Sequence, residues 1–120
     1  SIVVTGEGNS TTTNLQQGLA KAWGQWNASQ ALQGSFNCAS ITDTATGRAT
    51  FAIATDMAND DYSVATAGSN GSASATIYSS DPNTLAAATF IVNIFAASNG
   101  SAFALADRSI NLVVVHGDLA

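Results

Sequence analysis

Residues Phe36 to Val64 read Phe-Asn-Cys-Ala-Ser-Ile-Thr-Asp-Thr-Ala-Thr-Gly-Arg-Ala-Thr-Phe-Ala-Ile-Ala-Thr-Asp-Met-Ala-Asn-Asp-Asp-Tyr-Ser-Val. Within this stretch Ala49, Phe51 and Ile53 alternate with Thr50, Ala52 and Ala54, the period of two expected of a strand with one buried face. Thr44-Ala45-Thr46-Gly47 precedes it as a tight turn, with Gly47 free to take a positive φ. The stretch therefore predicts two strands joined by a hairpin turn, a connection over residues 57–61, and a third strand opening at Tyr62. Phe36, Phe51 and Ile53 are its expected inward anchors, and Cys38 a small buried filler.

Upstream, Ile2-Val3-Val4-Thr5 is β-branched and predicts a short strand or extended arm, ended by Gly6, Gly8 and Asn9. Leu15, Leu19, Ala22, Trp23 and Trp26 then fall on a single helical face, although Gly18 and Gly24 each weaken a helix by about 1 kcal/mol relative to Ala. Read as a strand, Lys21 to Asn27 instead places Trp23 and Trp26 on opposite faces. The division that satisfies both patterns is a short helix near 12–20 and a strand near 21–27. So short a helix is marginal alone in water. Leu15, Leu19 and Trp23 are therefore expected to pack against a sister copy of the chain.

Downstream, residues 67–72 predict a loop. Ala73, Ala75 and Ile77 alternate with Ser74, Thr76 and Tyr78, and Asp81-Pro82-Asn83 is a favoured turn sequence. Residues 86–97 are the most apolar segment. Ala88, Phe90, Val92 and Ile94 share one face, while Ile91 and Phe95 make the other apolar too, so the strand should be covered on both sides. Phe95 is thereby a further expected interface residue. Residues 98–102 form another turn, and Ile110 to His116 a last strand. About seven strands at regular spacing predict an all-β chain with a short N-terminal helix, an antiparallel β-sandwich or jelly-roll-like domain. Residues 1–20 form an arm and helix for assembly or anchoring, and residues 21–120 the β domain.

The 120 residues suit one domain. Charged residues make up 9%, against roughly 25% in an ordinary soluble domain. The surface is therefore largely Ser, Thr, Asn, Gly and Ala, which suits close symmetric contacts or a neutral, hydrogen-bonding ligand such as a glycan. The net charge is −5, and Lys21, Arg48 and Arg108 are scattered along the chain. This argues against a nucleic-acid partner, which requires clustered basic residues. No apolar run reaches the ~20 residues of a membrane-spanning helix. A lone Cys38 excludes an intramolecular disulfide. The first residue is Ser1 rather than Met, consistent with initiator removal or with a piece of a longer chain.

No catalytic, cofactor or metal motif stands out. His116, the single histidine, lies in an apolar strand with Asp118 two residues on, and reads as a structural or interface residue. Asp56, Asp60 and Asp61 form a turn-rich connection whose spacing is not that of an EF-hand Ca²⁺ loop. Tyr78 is the aromatic expected to be exposed. Together with the loop residues Asn70, Asn83 and Asn99 it forms the candidate binding set, because functional contacts concentrate on loop tips of rigid scaffolds.

Several of these segments together resemble a known group. Lys21-Ala22-Trp23 with Trp26-Asn27, Phe36-Asn37, Ser40-Ile41-Thr42-Asp43, Thr46-Gly47, Thr50-Phe51, Met57-Ala58-Asn59 and Tyr62-Ser63-Val64 resemble the C-terminal domain of tail-fibre and related virion structural proteins of tailed bacteriophages, marine phages included. The resemblance covers roughly residues 12–66, with a looser match over 115–120. Ala28-Ser29-Gln30 and Thr44-Ala45 depart from the glycine-containing turns of that group. The resemblance implies a non-enzymatic, homotrimeric virion component with no cofactor. Its N-terminal segment would join other virion proteins, and its loops would face a host-surface glycan or protein. Two rival expectations are a depolymerase-like carbohydrate-active fibre domain, which would use carboxylates such as Asp56, Asp61 or Asp81, and a trimerisation domain of a longer fibre.

Overall fold

The computed structural model describes residues 2–6, 8, 10–71, 76–98 and 102–120. In chain order its elements are β1 (Val3–Thr5), β2 (Thr12–Asn14), α1 (Leu15–Gly18), β3 (Ala22–Trp26), β4 (Leu32–Phe36), β5 (Cys38–Ala45) and β6 (Arg48–Ile53). β7 (Ser63–Ser69), β8 (Thr76–Asn83), β9 (Thr89–Ser98), β10 (Ala104–Leu105) and β11 (Ile110–His116) complete it.

Two antiparallel sheets form the body. One has the order β4-β3-β11-β7. In the other, β9 pairs with β8 along one edge and with β6 and then β10 along the opposite edge, and β5 closes the β6 side. The alternation noted in the sequence builds the core between them. Ala49, Phe51 and Ile53 of β6 and Phe90, Val92 and Ile94 of β9 face Ala22 and Trp26 of β3 and Val113 and Val115 of β11. Phe51 stacks on Phe90 with centroids 4.9 Å apart, and the Tyr62 ring meets Phe90 edge-on at 6.2 Å. The result is a sandwich-like, all-β fold.

Polar contacts lock the corners. Gly47 takes φ 67° in the β5–β6 turn, and its backbone N donates to Asp107 Oδ1 at 2.7 Å while its carbonyl accepts from Ile94 N at 2.8 Å. Asn37 bridges three segments: Nδ2 donates to Lys21 O and Thr55 O, and Oδ1 accepts from Thr55 N. Asn111 is buried and donates from Nδ2 to Trp26 O at 3.0 Å and Arg108 O at 2.9 Å. At the C-terminus, Met57 forms an isolated bridge with Leu119 and is itself fully buried.

Several expectations need correction. The helix expected near 12–20 is a single turn, Leu15–Gly18, because Thr12–Asn14 pairs with Val3–Thr5 instead. The β-branched threonines favour an extended backbone, and Gly18 removes helix propensity. Asp81-Pro82-Asn83 is not a turn but the end of β8. Pro82 is tolerated there because, among the described residues, β8 pairs with β9 alone and so lies at a sheet edge. Residues 67–69 extend β7 rather than starting a loop. Phe36 points away from the core and is exposed, whereas Phe51 and Ile53 are buried as expected. Cys38 is half-buried. Of the alternation expected over 73–78, residues 73–75 lie outside the described residues, as does Asn99.

The hairpin of β1 and β2 stands apart from the sandwich. Its packing is chiefly against α1, and Leu15 N donates to Ile2 O at 2.8 Å. Ile2, Val3 and Val4 are all exposed. The molecule extends 51 × 31 × 23 Å.

Candidate interaction surface

The outer face of the β4-β3-β11-β7 sheet is apolar, and strand register explains why. In antiparallel pairing, residues directly opposite one another share a face. Phe36 pairs with Trp23, Trp23 with Val114, and Val114 with Ala65, which makes one continuous row across four strands. The next row runs Gly34, Gln25, Leu112 and Ala67. The inward positions of β3 and β11 (Ala22, Trp26, Val113, Val115) fill the core, so these rows are left outside. Phe36 is 55% exposed, Trp23 42%, Leu112 39% and Val114 36%. The Trp23 indole reaches over Gly34, where an added Cβ would sit 3.4 Å from the ring. His116 and Ser63, also paired, form the polar margin of the face.

A cavity of about 340 Å³ opens beside this face, lined by Leu19, Ala20, Lys21, Phe36, Asn37, Thr55 and Leu119. Phe36 belongs to both features, so cavity and face are continuous. Leu19 and Leu119 are exposed at its rim. Lys21 is mostly buried, and its Nζ donates to Leu19 O at 2.7 Å.

The opposite outer face, on the β5-β6-β9-β8 side, is of different chemistry. Arg48 Nε donates to Asn93 Oδ1 at 2.8 Å, and Asn83 Nδ2 donates to Asp81 Oδ2 at 3.2 Å. Ser40, Thr42 and Ser79 are exposed nearby.

The residues singled out in the sequence are distributed as follows. Leu19 and Trp23 are brought together through Phe36, whereas Leu15 is half-buried in α1. Phe95 is half-buried on β9, opposite Ser79 and Leu105, on the other sheet. Asn70 follows β7 half-buried, and Asn83 ends β8. Tyr78 is not an exposed aromatic: it is half-buried on β8, with the Arg108 guanidinium 5.5 Å over its ring. The exposed aromatics are Trp23, Phe36 and Phe103. Phe36, Leu112 and Val114 were missed as surface residues. The signal for the last two is in β11, whose Ile-Asn-Leu-Val-Val-Val-His is apolar at both parities, as in β9.

Cys38 and Tyr62 have perturbed acidity. Burial pushes the Cys38 thiol up, and its Sγ donates to Ser40 O at 3.6 Å. Burial likewise raises the Tyr62 phenol, and the charge of Asp60 raises it further. Neither adjoins a nucleophile and base pair. Asn59 Oδ1 accepts from Asp61 N at 2.9 Å, which uses this Asp-rich connection as a turn. Among the described residues, no three His, Cys, Asp or Glu side chains are grouped to hold a metal ion.

No family model matches the chain, and no curated protein or solved structure is detectably similar to it.

Proposed function

We infer that the chain is a non-enzymatic structural protein of a tailed-phage virion. In this reading it is a small homotrimeric fibre knob or decoration protein, anchored through its N-terminal segment, that presents the sandwich towards a host-surface glycan or protein. The observation that carries the reading is the division of the chain into arm and body. The β1–β2 hairpin projects from a self-contained sandwich and exposes Ile2, Val3 and Val4. A two-stranded hairpin is at best marginally stable alone in water, so a second surface that covers it accounts for its β-branched residues. The resemblance of residues 12–66 to phage fibre domains supplies the virion context, and the low charge suits close packing among copies.

The test uses particles of a phage whose genome encodes the chain, grown with the full-length protein or with residues 2–14 deleted. Full-length protein is expected in purified particles by immunoblot and at one location by immunogold labelling. The deleted form is expected to fold, by circular dichroism, and to be missing from the particles. Absence of the full-length protein from washed particles refutes the virion reading, and incorporation of the deleted form refutes the anchoring role of the arm.

A further inference from the structure

We propose that the outer face of the β4-β3-β11-β7 sheet, centred on Trp23 and Leu112, is the surface by which copies of this chain pack against one another. The proposal rests on the homo-oligomeric reading above and assigns that assembly to one face. Three observations single out a second copy as the occupant.

The first is charge. The two rows from Phe36 to Ala65 and from Gly34 to Ala67 contain no ionisable side chain, in a chain of net charge −5. Two such faces can meet without the like-charge repulsion that other surfaces of the same molecule would bring. A basic or acidic partner would find no charged side chain in these two rows to pair with.

The second is area. Four strands about 4.8 Å apart, with residues rising about 3.4 Å each along the seven-residue β11, give a flat footprint of roughly 450 Å². Side-chain relief enlarges it, and Phe36 continues it into the rim formed by Leu19 and Leu119. The flat footprint alone is about half of the ~800 Å² that each partner contributes to a standard interface, and the rim adds to it. The flat footprint lies within the ~300–600 Å² of the largest apolar patch on a typical monomer, a patch that is often functional.

The third is shape. With Ala65 and Ala67 on one side and Gly34 on the other, the flanks of the face carry small residues. Flat sheet faces pack closely on other surfaces, as this fold already does once between its own two sheets, and three such faces can close around a threefold axis.

Leu112→Lys tests the assignment. Leu112 is exposed, so a lysine there can reach water in the isolated chain but places a charge in the middle of the packed face. Thr42→Lys, exposed on the outer face of the other sheet, is the control for added charge. Trp23→Thr, a β-branched replacement at a strand position, is a second variant should Leu112→Lys fail to fold by circular dichroism. Mass is read by light scattering across a hundredfold range of concentration. Wild type and Thr42→Lys are expected to remain assembled, while Leu112→Lys dissociates with at least a tenfold weaker association constant. Acrylamide quenching of indole fluorescence should rise on dissociation, since Trp26 is buried within the subunit and Trp23 is not. A folded Leu112→Lys or Trp23→Thr that assembles like wild type overturns the interface and leaves the homo-oligomeric reading standing. A wild type that is monomeric at every concentration overturns both, and gives the face to a partner of another kind.

Discussion

The Phe51 ring edge lies directly against the backbone of Gly24 in the facing sheet: a Cβ built on Gly24 would come 2.8 Å from Phe51 Cε2. Phe51 cannot retreat, because it is fully buried and stacked on Phe90. Gly24→Ala is therefore expected to destabilise the fold by about 1–3 kcal/mol, the usual cost of overpacking a filled core. Gly18→Ala, where an added Cβ meets nothing within 4 Å, is the matching control. It should be neutral or stabilising by up to about 1 kcal/mol. Urea denaturation of the two variants measures the contrast, and equal midpoints would contradict it.

The same contact explains why one part of the sequence was misleading. Gly24 looked like a flaw in a helix; it is instead the place in β3 where two sheets approach too closely for a side chain. The β5–β6 hairpin and its inward Phe51 and Ile53 were legible because a period-two pattern and a turn glycine are local signals. The partner of Thr12–Asn14 was not, since pairing with Val3–Thr5 competes with a helical pattern that is also present. Phe36 was misplaced by one face, which register alone decides: it follows Trp23 outward through their pairing. The apolar outer face was half legible. β11 shows it at both parities, but only the order β4-β3-β11-β7 turns single exposed residues into two rows.

Asn111 provides a test of the polar part of the core. Its Nδ2 faces the carbonyl oxygens of Trp26 and Arg108. Asn111→Asp replaces that donor with a carboxylate oxygen set against carbonyl oxygens, which should cost about 3 kcal/mol or more at neutral pH. The protonated acid can still donate one hydrogen bond, so the folded state favours it and the folded pKa lies above the unfolded value near ~3.9. Stability of the variant should then fall as pH rises above ~4 and recover on acidification, by linkage. Urea midpoints of variant and wild type at pH 4.5 and 7 measure this; a gap between them that does not widen with pH would contradict it.

Tyr62 supplies an alkaline counterpart in the wild type. Burial raises its phenol, and the charge of Asp60 adds to the shift. The unfolded chain loses this proton near pH ~10, while the folded chain retains it to higher pH. The contribution of this group is thus complete below pH ~10 and lost as pH rises towards the folded value. Tyr62→Phe should be less stable at pH 7, having lost the hydrogen bonds to Ala86 O and Thr89 O, yet should lose less stability between pH 9 and 11. Thermal melts across that range, with phenolate absorbance followed in parallel, decide it. Parallel alkaline losses in the two proteins would show that Tyr62 is not the group responsible.

Gly47 separates backbone strain from lack of space. Its φ of 67° costs a residue with a Cβ about 1–2 kcal/mol, but Asn is tolerated in this region far better than Ala. If φ were the whole requirement, Gly47→Asn would be the mild substitution. Space is the second requirement, however: any Cβ there would lie 2.8 Å from Ile94 O and press on the backbone of Ala106. Those atoms are themselves committed, since Ala106 N donates to Ile94 O and Ile94 N to Gly47 O. The turn would have to lift off β9, breaking the bond to Asp107 Oδ1 as well. Gly47→Ala and Gly47→Asn should therefore both destabilise by more than about 2 kcal/mol, strain and overpacking together. Asp107→Ala, which removes one hydrogen bond and leaves the turn seated, should cost about 1 kcal/mol. Urea titration of the three variants gives the ordering, and a Gly47→Asn protein as stable as wild type would show that the β5–β6 turn is not wedged against β9.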